Sequence, residues 1–181
     1  MLKHKTVNNI IIEDFIRDIK NIINLTKRVF KETNIYENYE DILEIYQVFP
    51  DIIGNDKVKK SMRNVELVIK NIKRANPYLQ IIFLEKTLND LFDCLCKEVG
   101  FNIILMNMPE FGRIKGKDEM EKISEIHVYD TLSQFGKINY LYRLSGSKYL
   151  VYFFEDEDAQ KCYNLINGNK IGNNNIYVRK I

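Results

Sequence analysis

Tyr149-Leu-Val-Tyr-Phe-Phe-Glu-Asp-Glu-Asp-Ala159 joins six consecutive apolar or aromatic residues to four consecutive acids. The first part has the length and side-chain content of a strand. The acids suit the positive end of a helix dipole and open a helix that runs to Asn167-Gly168. The neighbours extend the pattern. Upstream, Ile138 to Leu144 is a second strand-like run, joined to Lys148–Phe154 by the turn Ser145-Gly146-Ser147. Downstream, Ile176 to Ile181 reads as a last strand. Further upstream, a helix with apolar Met120, Ile123, Ile126, Leu132 and Phe135 stops at Gly136 and follows a Gly- and Lys-containing loop, Arg113 to Lys117. Before that loop, Phe101 to Met108 is a short apolar run closed by Pro109. The order strand, helix, strand, strand, helix, strand is the split unit of a ferredoxin-like sandwich.

The first hundred residues have a different texture, with helical periodicity throughout. Phe15, Ile16, Ile19, Ile22, Ile23, Val29 and Phe30 fall at three-and-four spacing. Ile42, Ile45, Tyr46 and Phe49 repeat the spacing before Pro50 and Gly54 break it. Asp56 is a candidate cap for a third helix with Val58, Met62, Val65, Ile69 and Ile72 on its apolar side. Asn76-Pro77 stops that helix and starts a fourth, Leu79 to Val99, apolar on most sides and expected at the centre of the helical half. Gly100 supplies a left-handed stop. The expected fold class is therefore α+β, with a helical region over 1–100 and a βαββαβ sandwich over 101–181.

Composition narrows the function. The chain has 181 residues, 27 basic and 25 acidic, so its net charge of +2 excludes a polycation that holds nucleic acid by charge alone. The halves on either side of Gly100 carry 16 basic with 15 acidic residues and 11 with 10, so neither is a charged arm. No apolar run approaches the length of a membrane span and no cleavable leader is visible. Cys94, Cys96 and Cys162 are odd in number and unclustered, as in a reducing compartment. The expectation is an intracellular protein of nucleus or cytoplasm, not a secreted one. Abundant Asn, Ile and Lys point to coding bias more than to chemistry.

Three pieces carry a resemblance. Leu132-Ser-Gln-Phe135-Gly136-Lys-Ile138, the opening stretch Tyr149 to Ala159, and Leu165-Ile-Asn167-Gly168-Asn-Lys-Ile171 with Ile176-Tyr-Val178 together resemble the RNA-recognition motif (RRM) family over about 102–181. That resemblance implies single-stranded RNA binding by aromatics on the open face of the sheet. The family's octamer falls on Ser147 to Phe154, with Tyr149 at its aromatic third position and Val151 at its fifth. The hexamer falls on Ile103 to Met108, with Ile104 where an aromatic is usual.

The period of two assigns the faces. With Leu150, Tyr152 and Phe154 inward, Tyr149, Val151 and Phe153 point outward. Ile176 and Val178 inward leave Tyr177 and Arg179 outward. Ile138 and Leu141 as core residues require a local irregularity and turn Tyr140 and Tyr142 outward. The candidate RNA-binding face is then Tyr149, Tyr140, Tyr142, Phe153, Tyr177, Ile104 and Val151, joined by Met106, with Lys148, Arg143 and Arg179 for phosphates or base edges.

Two readings compete for that face. One is a relocated stacking platform for RNA within a ribonucleoprotein, each stack contributing about 1–3 kcal/mol. The other is a protein-interaction module whose face is covered by its own helices or by a partner subunit. A basic third helix, with Lys59, Lys60, Arg63, Lys70, Lys73 and Arg74 away from its apolar side, is a second candidate for phosphate contact or simply a solvated face. His4 and His127 have no Cys or His at ligand spacing, and Gly112-Arg-Ile-Lys-Gly116 lacks the Lys-Ser/Thr of a phosphate-binding loop. The reading is of a non-enzyme with no cofactor, no metal and no membrane partner.

Overall fold

The computed structural model describes residues 14, 17, 21, 35–71, 77–113, 120–144, 147–171 and 173–181. The chain divides into two compact units, Met1–Glu98 and Val99–Ile181. The expected helix near 12–30 lies outside the described residues apart from helical Asp14, Arg17 and Asn21. His4, Ile72, Lys73, Arg74 and the Asn76 cap lie outside them as well.

The first unit is helical: α1 (Ile35–Val48), a 3-10 turn (Pro50–Gly54), α2 (Asp56–Asn71) and α3 (Pro77–Val99). α1 buries Ile35, Tyr39, Ile42, Ile45 and Tyr46 along one face. The cap of α2 is Asn55 and not Asp56, which already lies inside the helix. The Asn55 Oδ1 accepts the backbone N–H of Lys57 at 2.8 Å and of Val58 at 3.3 Å. α3 buries a single stripe, including Ile81, Leu84, Leu88, Leu91 and Leu95, and leaves Ile82 and Phe83 exposed. The expectation of a helix apolar on most sides is corrected to an amphipathic one.

Gly100 ends α3 at φ +109°. A Cβ there would also stand 2.6 Å from the Tyr152 ring, so both the turn and the close approach require glycine.

The second unit holds β1 (Ile103–Met106), β2 (Phe111–Arg113), β3 (Met120–Lys122), α4 (Glu125–Ser133), β4 (Ile138–Arg143), β5 (Tyr149–Phe153), α5 (Asp156–Ile166), β6 (Lys170–Ile171), β7 (Asn174–Asn175) and β8 (Tyr177–Lys180). The main sheet has the order β4-β5-β1-β8, antiparallel throughout. With α4 and α5 against one face this is the RRM-like α+β sandwich. Its core joins Ile103, Leu105, Tyr149, Val151, Phe153 and Val178 of the sheet to Val128 and Leu132 of α4 and Ala159 and Cys162 of α5. Burial in that core pushes the Cys162 thiol up to about 12.

Two hairpins interrupt the simple order. The helix expected from Met120 is instead strand β3, paired with β2 so that Phe111 faces Lys122. α4 begins later because Ser124 caps it. The Ser124 Oγ accepts the His127 N–H at 3.4 Å, and the Ser124 N–H donates to His127 Nδ1 at 3.2 Å. The β6–β7 hairpin is tied to the end of β1 by asparagines. Asn107 Nδ2 donates to the Asn175 carbonyl at 2.8 Å, and Asn174 Nδ2 donates to the Asn107 carbonyl at 3.1 Å. Asn107 itself sits at φ 63°, a conformation asparagine tolerates better than most residues.

Another asparagine extends the ladder. The Asn102 Oδ1 accepts the Phe153 N–H and its Nδ2 donates to the Phe153 carbonyl, both at 3.0 Å. One side chain thus satisfies both backbone groups at the end of β5, as a paired strand would. Asn102→Ala is expected to cost about 1–3 kcal/mol, the penalty for orphaned polar groups. A denaturation midpoint shifted at unchanged slope is the measurement.

Candidate nucleic-acid interface

The pairing register fixes which side chains share the face turned away from α4 and α5. One row across the sheet runs Tyr142, Leu150, Ile104, Arg179. Tyr140 pairs with Tyr152 on one side of that row, and Met106 with Tyr177 on the other. The irregularity needed in β4 is a register shift between Ile138 and Tyr140, which sends Ile138 to the core and Tyr140 to the open face.

Strand β5 has the opposite phase from the one expected. Tyr149, Val151 and Phe153 are buried among the helices, so they are removed from the candidate face. Leu150 and Tyr152 occupy it instead, and Phe154 is not a core residue but an exposed ring with the Lys137 ammonium 5.0 Å from its centroid. The reason is physical: Tyr149 to Phe154 is apolar or aromatic at every position, so neither set of alternate residues is marked as the solvent side. Alternation then gives no phase, and a slip of one residue exchanges the faces. Placed one residue later, the family's octamer begins at Lys148, a basic residue, and reaches Tyr152 at its aromatic fifth position. Sequence reasoning missed Tyr152; the basic start at Lys148 was the signal that would have found it.

Tyr149 on the core side has a different environment. Burial pushes its phenol up, partly offset by the Arg143 guanidinium, whose Cζ lies 5.6 Å from the ring centroid. Arg143 thus sits on the helix side of the sheet, paired across from Tyr149, and is also removed from the open face.

The open face is uneven. At its centre Ile104 and Leu150 are buried, so Ile104 offers no surface for stacking. Towards the edges the rings emerge: Tyr140 on β4 is 42% exposed and Tyr177 on β8 is 51% exposed. Tyr142, Tyr152, Met106, Lys148 and Arg179 are half-buried. At the β4 corner the Phe101 ring lies 5.9 Å from that of Tyr140, tilted at 43°. The arrangement is a ring of tyrosines around a closed apolar centre, with two cations. It carries no acid–base or nucleophilic grouping, and no cluster of His, Cys, Asp or Glu suited to a metal occurs among the described residues. No described helix is long and apolar enough to cross a membrane.

No family model and no curated protein matches the sequence. Solved structures do match. The chain is similar to the Sex-lethal RNA recognition domains 1 and 2 from Drosophila melanogaster at 20% identity and TM-score 0.34, over 43% of this chain and 47% of that one. It thus spans about half the length of that two-domain structure. It is also similar to the RRM3 domain of Mip6 at 20% identity and TM-score 0.34, over 45% of this chain and 94% of that chain. A third similar structure is the Rna15 RRM with bound RNA (GU), at 15% identity and TM-score 0.33, over 42% and 78% of the two chains.

Proposed function

We propose that this protein binds single-stranded RNA without catalysing a reaction, within a ribonucleoprotein. Its bases stack on tyrosines at the margins of the open sheet face, chiefly Tyr140 on β4 and Tyr177 on β8, with the half-buried Tyr142 and Tyr152 beside them. The observation that carries this reading is the exposure of phenol rings on both edge strands of one sheet face. A ring offers its π-face to any base, so a platform need not sit on the central strands. Lys148 and Arg179 supply local positive charge on the same face, which is sufficient for a protein of near-zero net charge.

A second reading, docking of protein on this face, is favoured by the burial of Ile104 and Leu150 at its centre. The two separate cleanly in a titration of a labelled single-stranded RNA with the full chain. Tyr177→Ala removes an exposed ring at little cost to folding and is expected to lower RNA affinity by about 5- to 150-fold, the equivalent of one stack. An unchanged affinity would leave the docking reading in place of the stacking one.

A further inference from the structure

We infer that α2 of the helical unit carries a separate phosphate-binding ridge for nucleic acid. The inference takes only its choice of ligand from the RNA reading of the sheet, and it stands on different residues. The helix buries Val58, Met62 and Val65 on one side. On the opposite side Lys60, Arg63, Leu67 and Lys70 are exposed, Leu67 by 56%. At 3.6 residues per turn these four lie within about 80° of the circumference, and Lys60 and Lys70 are about 15 Å apart along the axis. That length matches the rise of four to five stacked nucleotides of one strand.

The charges on this ridge have no ion-pair partner among the described residues. Lys57 is engaged by the Glu98 carboxylate at 2.9 Å, a carboxylate that Lys57 and Asn55 together hold below its usual range. Lys59 lies 3.8 Å from Asp56. Lys60, Arg63 and Lys70 form no ion pair among the described residues, although Glu66 stands three residues after Arg63 and four before Lys70, where a pair is favoured. The sign is also segregated: α1 carries Glu37, Glu40, Asp41 and Glu44 and no basic residue. An ordinary solvated surface intersperses the two signs. A one-sign ridge with an exposed leucine amid three cations that lack ion-pair partners among the described residues is complementary to a phosphodiester strand with its sugars and bases.

The experiment measures affinity for a labelled single-stranded RNA of about 12 nucleotides against salt, using the full chain. The triple variant Lys60→Gln/Arg63→Gln/Lys70→Gln is expected to bind on the order of tenfold more weakly at low salt. Its log–log salt slope should fall in magnitude by about 2, at about 0.7 per lost contact on a single strand. Tyr177→Ala, in contrast, should leave the slope unchanged. A lowered slope supports the ridge whatever Tyr177→Ala does, and an unchanged slope overturns it whatever Tyr177→Ala does, so the two readings fail separately. Should the triple variant lose its helical circular dichroism, Lys60→Gln/Arg63→Gln alone carries the test, with a slope change of about 1.4. If the triple variant instead dissociates a self-associated wild-type chain at constant slope, the ridge docks the acidic α1 of another copy and the nucleic-acid assignment is overturned.

Discussion

Phe153→Ala is expected to destabilise the C-terminal unit by about 3–5 kcal/mol, the range for removing a buried aromatic ring. The ring is fully buried among Val128, Leu132, Ala159 and Cys162, and its own backbone is clamped by Asn102. A domain of this size has about 5–15 kcal/mol in total, so one substitution removes much of its margin. The melting midpoint should fall on the order of 20 °C, and the urea midpoint with it. The same residue on the solvent face would cost under about 0.5 kcal/mol and act on RNA instead. A stable Phe153→Ala protein with weakened RNA binding would therefore restore the opposite phase of β5. Tyr149→Ala belongs with Phe153→Ala: any loss of binding it causes reports unfolding of the sheet, not a missing stack.

That phase is where the sequence stopped being informative. The order of elements was legible because each boundary has a local cause: acids at the start of α5, Gly100 and Gly168 in positive φ, Pro50 after α1. The β4 face was legible too, since Ile138 and Leu141 cannot share a side without a bulge. β5 offered no such contrast, being apolar at every position. The β2–β3 hairpin was hidden for another reason: Met120 and Ile123 are three apart, a spacing that fits a helix as well as a strand followed by a cap. The asparagines were misjudged as compositional bias. Asn55 caps α2, Asn102 extends a ladder, Asn107 and Asn174 latch a hairpin, and Asn167 accepts the Val178 N–H at 2.9 Å. Asn55 follows the local N-cap pattern, but the partners of the other four lie 11 to 68 residues away, where no local pattern reveals them.

The double variant Tyr140→Ala/Tyr177→Ala tests whether one RNA strand crosses the sheet. β4 and β8 are its two edges, three strand spacings or about 14 Å apart, and neither ring touches the other. Residues so separated do not couple directly through the protein. If a single strand lies across the face, each ring holds a different base of the same molecule. The losses then add to about 2–6 kcal/mol, 30-fold or more in affinity, for an RNA long enough to reach both edges. A dinucleotide spans only one edge, so no single complex with it loses both stacks. Isothermal titration with the two lengths of RNA separates these outcomes. Equal behaviour of the double variant and its worse parent on the long RNA would mean that only one margin is used. The buried centre at Ile104 and Leu150 would then divide the face into two surfaces, one free to hold RNA and the other left to protein.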